Sequence, residues 1–320
     1  MSGDTVHPAS VTLELDSIGQ AAWERLFDAI PDSVLEQSWT YGEAVRLAAG
    51  RSVTRGLIRS GDAPVGLVQG FTHRFFGCVT IPEILRGPVF LPEASEDEKR
   101  AALMLVRKQW QRGILQFPRW MPEVPDMPEA HSLLQGLGVR QVVTGYPTVL
   151  VDLTSSTVQM RAGLDGKWRN ALSQAEKAGL KVKSARGGKA VEQAVRQYDS
   201  MRRKRRFSGP SGATATAFHQ LVRRQRDLLA VTVSRGSDVL SGALFLGHGQ
   251  TATYYMGWTA KAGRAVNSQN LALWRGMLKL AEDGFTSLDM GGIDTWREPG
   301  IARFKIGTGG RVHMTAGTWM

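Results

Sequence analysis

Apolar residues along this chain switch repeatedly between spacings of two and of three to four, so strands and helices are interleaved throughout. Alternation at Val11, Leu13 and Leu15 predicts a strand. The spacing of Ala22, Trp23, Leu26, Phe27 and Ile30 predicts an amphipathic helix that Pro31 ends. Ser38 can cap a helix over 39–49, stopped by Gly50. Strands are expected over 53–59 and 64–73 around a Ser60-Gly61-Asp62 turn, then over 75–81 and 85–91. Ser95-Glu96-Asp97-Glu98 opens a helix running to about residue 112. After a strand over 114–118 and a rigid Pro-rich loop over 118–128, a helix over 130–137 and one strand over 141–152 complete the first half.

The pattern then restarts. A basic helix is expected over 157–178, a strand over 180–184 and a helix over 189–206. A Gly/Pro/Ser loop over 207–213 and a helix over 214–227 follow, and then strands over 229–235, 239–247 and 251–259. A helix over 271–282 precedes a closing strand that ends in Gly291-Gly292. Both halves read as helices packed on mixed, largely antiparallel sheets, an α+β class. The expected domains are 1–155 and 156–320, with the C-terminal strand a candidate to join the first.

Composition describes an ordinary globular protein, 42% hydrophobic and 22% charged. Residues 1–10 are polar and lack a signal-peptide layout, and no apolar run approaches the roughly 18 residues of a membrane span. The single cysteine, Cys78, leaves no internal disulfide and suits a reducing cytoplasm; it reads as a small core residue. Residues 161–240 hold 18 Lys and Arg against 6 Asp and Glu, an excess larger than the +11 of the whole chain. A basic face so localised points to a phosphate-bearing partner.

The six histidines are scattered with no metal-ligand spacing, and neither a Gly-x-Ser-x-Gly elbow nor a Walker loop is present. The chemistry concentrates in the last third. A Tyr-rich strand (Tyr254, Tyr255), a turn over 263–270, a helix and a strand ending in Gly291-Gly292 form a unit able to hold an anionic donor at the helix N-terminus. Lys305 returns just after it, placed to meet developing negative charge. Tyr254 and Tyr255 point to opposite faces of their strand, one toward the cleft and one toward the core.

Several stretches resemble the FemABX family of peptidoglycan-bridge aminoacyltransferases. Lys167-Trp168-Arg169-Asn170-Ala171-Leu172 with Ala175-Glu176-Lys177-Ala178-Gly179-Leu180 resembles the start of the family's second domain. Gln37-Ser38-Trp39, Arg86-Gly87-Pro88-Val89, Leu288 through Ile293 and Gly300 through Lys305 resemble its other conserved pieces, in order and spacing. The resemblance implies two tandem Gcn5-related N-acetyltransferase-like (GNAT) domains. It implies transfer of an aminoacyl group from aminoacyl-tRNA to an amine acceptor, such as a peptidoglycan precursor or a small natural product, with no metal and no cofactor. It places Lys305 near the transferring carbonyl, Phe304 beside it, and Arg205 or Arg206 on an acceptor phosphate. The long helical arm of larger family members is lacking.

On these grounds the catalytic candidates are Lys305 and Asp294, the latter as general base. The substrate-binding candidates are Phe304, Tyr254, Tyr255, Gly291, Gly292, Arg86 and Trp39. For phosphate or tRNA they are Lys167, Trp168, Arg169, Arg203, Lys204, Arg205 and Arg206. Trp168 suits either a stacked base or helix packing. Asp289 is expected to brace a strand end. Aminolysis of an ester passes through an oxyanion that an ammonium and backbone amides stabilise, each well-placed donor contributing roughly 3–4 kcal/mol. Two alternatives stay open. The first is an N-acyltransferase using acyl-CoA or another activated acyl group; against it, Arg264 through Asn270 lacks the glycines of a pyrophosphate-binding turn. The second is a non-catalytic RNA-binding protein.

Overall fold

The computed structural model describes residues 11–76, 78–111, 113, 115–206 and 209–320. In the first half, β1 (Val11–Leu15), α1 (Gln20–Phe27), α2 (Trp39–Ala49), β2 (Ser52–Ser60) and β3 (Ala63–Phe75) follow in order. Then come β4 (Val79–Leu85), β5 (Val89–Phe90), α3 (Glu96–Gln109), β6 (Arg119–Met121), α4 (Pro128–Gly136) and β7 (Gln141–Val143). The second half holds β8 (Pro147–Asp152), α5 (Thr157–Gly163), α6 (Gly166–Lys177), β9 (Lys181–Ala185), α7 (Lys189–Arg205) and α8 (Gly212–Leu221). Next are β10 (Leu228–Arg235), β11 (Asp238–His248), β12 (Thr251–Thr259), α9 (Lys261–Ala265) and α10 (Ser268–Glu282). The chain closes with β13 (Ser287–Asp289), α11 (Pro299–Ile306), β14 (Arg311–Met314) and β15 (Thr318–Trp319).

Two sheets result. One runs β1-β2-β3-β4-β6-β15-β7, with β5 beside β3; the other runs β14-β8-β13-β12-β11-β10-β9. Each contains a parallel pair, β4 with β6 and β12 with β13, in an otherwise antiparallel arrangement. Strands are exchanged between the halves. The stretch expected as one strand over 141–152 splits: β7 ends in the first sheet, and β8 begins in the second after Thr144, Gly145 and Tyr146. In return β15 lies in the first sheet, between β6 and β7. Periodicity could not show this, because both pieces alternate alike.

Local chemistry sets the other boundaries. The Ser38 hydroxyl accepts from the Tyr41 amide at 3.3 Å to start α2, and Gly50 ends it at φ 63. Ser95 and Glu98 close a full capping box on α3. The basic helix expected over 157–178 is two helices, because the Asp165 carboxylate caps α6 by accepting from the Lys167 and Trp168 amides. The strand expected over 75–81 is displaced. Residue Phe76 turns the chain at φ 49, and Cys78 lies exposed in that turn rather than in the core. Arg86, at φ 52, interrupts the strand expected over 85–91. The helix over 214–227 stops at Leu221, and the Pro-rich loop contains β6. Ile114 of the expected 114–118 strand and Phe207 and Ser208 of the expected loop lie outside the described residues.

The largest apolar core fills the second sheet's face under α6 and α10, around Phe245, Trp274, Met277 and Leu288. A second core joins the halves: Leu35 and Ala44 pack with Tyr198, Phe218, Tyr255 and Trp258. Polar links reinforce that junction. Arg224 pairs with Asp28 at 2.8 Å, Gln250 donates to the Asp28 carbonyl at 2.8 Å, and the Ser33 hydroxyl donates to the His248 carbonyl at 3.0 Å.

Candidate active site

The parallel pair β12/β13 is short. Thr251, Ala252 and Thr253 match Ser287, Leu288 and Asp289, and there the pairing stops. Beyond it the chain stays with β8: the Met290 amide donates to Val149 and the Ile293 amide to Pro147, both at 2.9 Å. Strand β12 bulges at the same level, leaving Tyr255 unmatched opposite the Leu244/Phe245 step. Gly291 then turns at φ 69, which an L side chain rarely adopts. The two strands therefore part immediately after Thr253 and Asp289.

Helix α11 carries Lys305 to this fork. Its Nζ donates to the Gly292 carbonyl at 2.7 Å. A Cβ placed on Gly291 would lie 3.7 Å from that nitrogen and 3.6 Å from the Tyr254 carbonyl. The ammonium thus sits where Gly291, Gly292 and the Tyr254 backbone converge, with donors left over for a substrate. Burial pushes its pKa down to about 8, against the opposing charge of Asp289. Trp168 braces the helix from behind. Its Nε1 donates to the Phe304 carbonyl at 3.1 Å, and Gly307 leaves room for its ring. This buried residue packs a helix, and the stacked-base option is not the one taken.

Beneath the fork lies a buried ionic network. Arg86 Nη1 donates to Asp289 Oδ2 at 2.5 Å, while Nε and Nη2 grip Glu123 at 2.9 and 3.0 Å. His313 Nε2 lies 2.8 Å from Glu123. Asp289 Oδ1 accepts from the Thr148 hydroxyl and, at 2.7 Å, from the Gly291 amide. Burial alone would raise the Asp289 and Glu123 carboxyls, but Arg86 and these donors outweigh it and hold both below the usual range. Two expectations change. Arg86 is 4% exposed and bonded through all three of its nitrogens to Asp289 and Glu123, so it serves as a structural ion rather than a substrate ligand. The Gly291 amide is spent on Asp289, which leaves Lys305 as the clearer oxyanion donor.

The remaining candidates divide. The Tyr254 hydroxyl accepts from Gln269 at 2.9 Å, its ring against the second-half core. Tyr255 packs on Tyr41 of the first half, ring centroids 6.4 Å apart. Trp39 lies under the Arg55 guanidinium, 3.6 Å away, within the first half, so it is packing rather than binding surface. Asp294 is exposed and accepts from the Trp296 and Arg297 amides, a turn-forming role that does not suit a general base. Lys167 and Arg169 are exposed on α6, and Arg169 donates to the Ala162 carbonyl. Arg203, Lys204, Arg205 and Arg206 are exposed where α7 ends, and no recorded contact joins them to Lys305. Much of the remaining basic excess is spent in pairs such as Arg161 with Glu176 and Arg186 with Asp283.

Sequence reasoning missed the first-half and crossover side of the junction. Tyr146, on the crossover between the sheets, lies against Gly292, whose Cβ would meet its ring at 2.8 Å. Glu36 sits in the turn over Leu35–Gln37 between two buried residues, the one signal that could have singled it out. A groove of about 380 Å³ between β9, β10 and α10 touches none of these groups.

The turn leading into α10 is tightly packed at Gly263. Helix α9 crosses it, and a Cβ on Gly263 would lie 2.4 Å from the Leu240 carbonyl and 2.6 Å from the Ser268 hydroxyl. Among the described residues, no group of three or more His, Cys, Asp or Glu is arranged to hold a metal, and no helix is long and apolar enough to cross a membrane.

Comparison with known proteins agrees with this architecture. Residues 160–305 match the acetyltransferase (GNAT) domain family. FemX superposes with a TM-score of 0.79 at 16% identity, covering 96% of each chain. A conserved protein of Bacteroides thetaiotaomicron gives 0.63 at 9% identity, covering 96% of this chain and 98% of that one. A tandem GNAT protein from the clavulanic acid biosynthesis pathway gives 0.54 at 11% identity, with the same coverage. No curated protein sequence matches the chain. Residues 160–305 therefore match the GNAT domain family, and nearly the whole chain has the FemX fold, a tandem-GNAT architecture.

Proposed function

We propose that this protein is an acyltransferase that makes an amide bond, moving an aminoacyl group from aminoacyl-tRNA to an amine. The observation that carries the reading is the fork between β12 and β13 with the Lys305 ammonium held in it. In this reading the acyl carbonyl lies at the fork, and Lys305 donates to its oxygen as the acceptor nitrogen attacks and the oxyanion forms. The exposed run Arg203 to Arg206, with Lys167 and Arg169, supplies the charge for donor phosphates. The likeness to FemX and the sequence resemblance to the FemABX family support an aminoacyl donor.

The match of residues 160–305 to an acetyltransferase domain favours a second reading, in which the donor is an acyl-CoA. The turn before α10 counts against it, because Val266 through Asn270 lack the glycines that let backbone approach a pyrophosphate closely. Calorimetry separates the two. Uncharged tRNA is expected to bind with strong salt dependence, and acetyl-CoA no tighter than about millimolar, equivalent to about −4 kcal/mol. A micromolar acetyl-CoA dissociation constant reverses the choice.

A further inference from the structure

Acyl transfer to an amine needs a proton acceptor, and the carboxylates at the junction are unequal candidates. Asp289 is saturated by Arg86, Thr148 and the Gly291 amide. Glu123 is saturated by the Arg86 fork and His313. Asp294 closes an exposed turn. A carboxylate with its lone pairs committed to strong donors is a poor base, since each donor favours the charged form.

Glu36 is different. Its Oε2 is shut off from solvent and has no hydrogen-bond partner among the described residues. The residue as a whole is only partly buried. Its backbone is fixed: the Glu36 carbonyl accepts from Gln69 Nε2 at 2.9 Å, inside the turn that precedes the Ser38 cap. Its neighbours in the turn reach both halves: Leu35 packs with Tyr255, and Gln37 Nε2 donates to the Leu85 carbonyl at 2.8 Å, next to Arg86. The charged and titratable groups that act on it electrostatically also come from both halves. Arg86 and Glu123 belong to the first, Asp289 and Tyr255 to the second, Tyr41 to α2 and Tyr146 to the crossover between the sheets. Tyr146 also touches Gly292, the residue whose carbonyl holds Lys305. Burial pushes the Glu36 carboxyl up more strongly than Arg86 pulls it down.

We propose that Glu36 is the catalytic proton acceptor for the acceptor amine, standing on the first-half side of the junction whose second-half side carries Lys305. The inference rests on the acyl-transfer reading above. The neutral amine nitrogen forms the C–N bond to the acyl carbon, and the carbonyl π pair moves onto the oxygen facing Lys305. Glu36 takes the proton that the nitrogen then sheds. As the tetrahedral adduct collapses, the bond from acyl carbon to leaving oxygen breaks, and the proton passes from Glu36 to that oxygen. Amine and ester become amide and alcohol, and Glu36 is regenerated.

The test uses the full-length protein with a pool of charged tRNA, acetyl-CoA, and an amine panel that includes hydroxylamine, a nucleophile that sheds its proton easily. Glu36→Gln keeps the shape and removes the base. Its melting temperature should not fall, because Oε2 accepts no hydrogen bond among the described residues. Amide formation with alkylamines should fall by about 100-fold or more. The acid limb of the pH–rate profile should disappear, and hydroxylamine should react with a much smaller loss. Glu36→Ala should be rescued by added formate. A wild type that is silent with both donors overturns the acyl-transfer reading and this inference with it. An active wild type whose Glu36→Gln variant stays within twofold, with its acid limb intact, overturns the assignment of Glu36 alone.

Discussion

Arg86 and Asp289 join the two halves of the chain through a 2.5 Å hydrogen bond, and both are almost wholly buried, 4% and 1% exposed. Asp289 is also the last residue of the paired stretch of β13. One of the bonds between the halves is therefore made at the residue where the fork begins. Removing one partner leaves the other buried without compensation, a cost of about 3–5 kcal/mol. Arg86→Met and Asp289→Asn should each lower the urea midpoint by that order. The double variant should cost much less than the sum. Additive losses in chemical denaturation would mean that the pair is not coupled.

Lys305 should show its role through activity rather than stability. Lys305→Met should lower amide formation about 100-fold or more. In the wild type, a role that needs the ammonium predicts a rate that declines as pH rises through about 8. For stability the sign is the opposite of an ordinary lysine. The folded pKa lies below the unfolded one, so the unfolded state binds more protons between pH 8 and about 10.5, and the buried charge weakens the fold below that window. Lys305→Met should therefore melt no lower than wild type at pH 7. A variant that unfolds at room temperature would assign Lys305 to the scaffold instead.

The exposed end of α7 gives a separate test. If Arg203, Lys204 and Arg205 meet phosphate, changing all three to Glu should weaken tRNA binding and flatten the dependence of log Kd on log salt concentration. The fold should be unaffected, since none of the three makes a recorded ion pair among the described residues. An unchanged slope in filter-binding titrations would make the run an ordinary solvated surface.

His248 predicts how the junction responds to acid. It is 2% exposed, its Nε2 lies 2.8 Å from the Thr253 hydroxyl, and burial lowers its pKa to about 3. The unfolded state takes up a proton that the folded state refuses, so stability is lost as pH falls from about 6.5 toward 3. Replacing it by Gln should flatten that part of the stability curve. Parallel curves for variant and wild type between pH 6.5 and 4 would exclude this contribution.

Much of the fold was legible because local chemistry decided it. Ser38 and Gly50 bound α2, Ser95 and Glu98 start α3, and the Ser60-Gly61-Asp62 turn joins β2 to β3, all as their residue types require. What could not be read depends on partners far away in sequence. Nothing local tells that 141–152 divides between two sheets, or that Arg86 answers Asp289 across 203 residues. Lys305 and the glycine pair stood out because the lysine returns just after a strand that ends in two glycines, and because both stretches resemble the FemABX family's closing motifs. Glu36 did not, because its significance lies in a hydrogen bond that it lacks. Trp39 reads from sequence as binding surface and Trp168 as either a stacked base or helix packing; in the fold both rings pack.

The central claim is that an aminoacyl group on tRNA becomes an amide. Purified protein should be incubated with tRNA charged with isotope-labelled amino acids, with acetyl-CoA in a parallel reaction, and with a mixture of amine acceptors, and the products weighed by mass spectrometry. The account predicts labelled amide from the charged tRNA, dependent on Lys305, and none from acetyl-CoA. Amide formed only from acetyl-CoA, with the charged tRNA left intact, would contradict it.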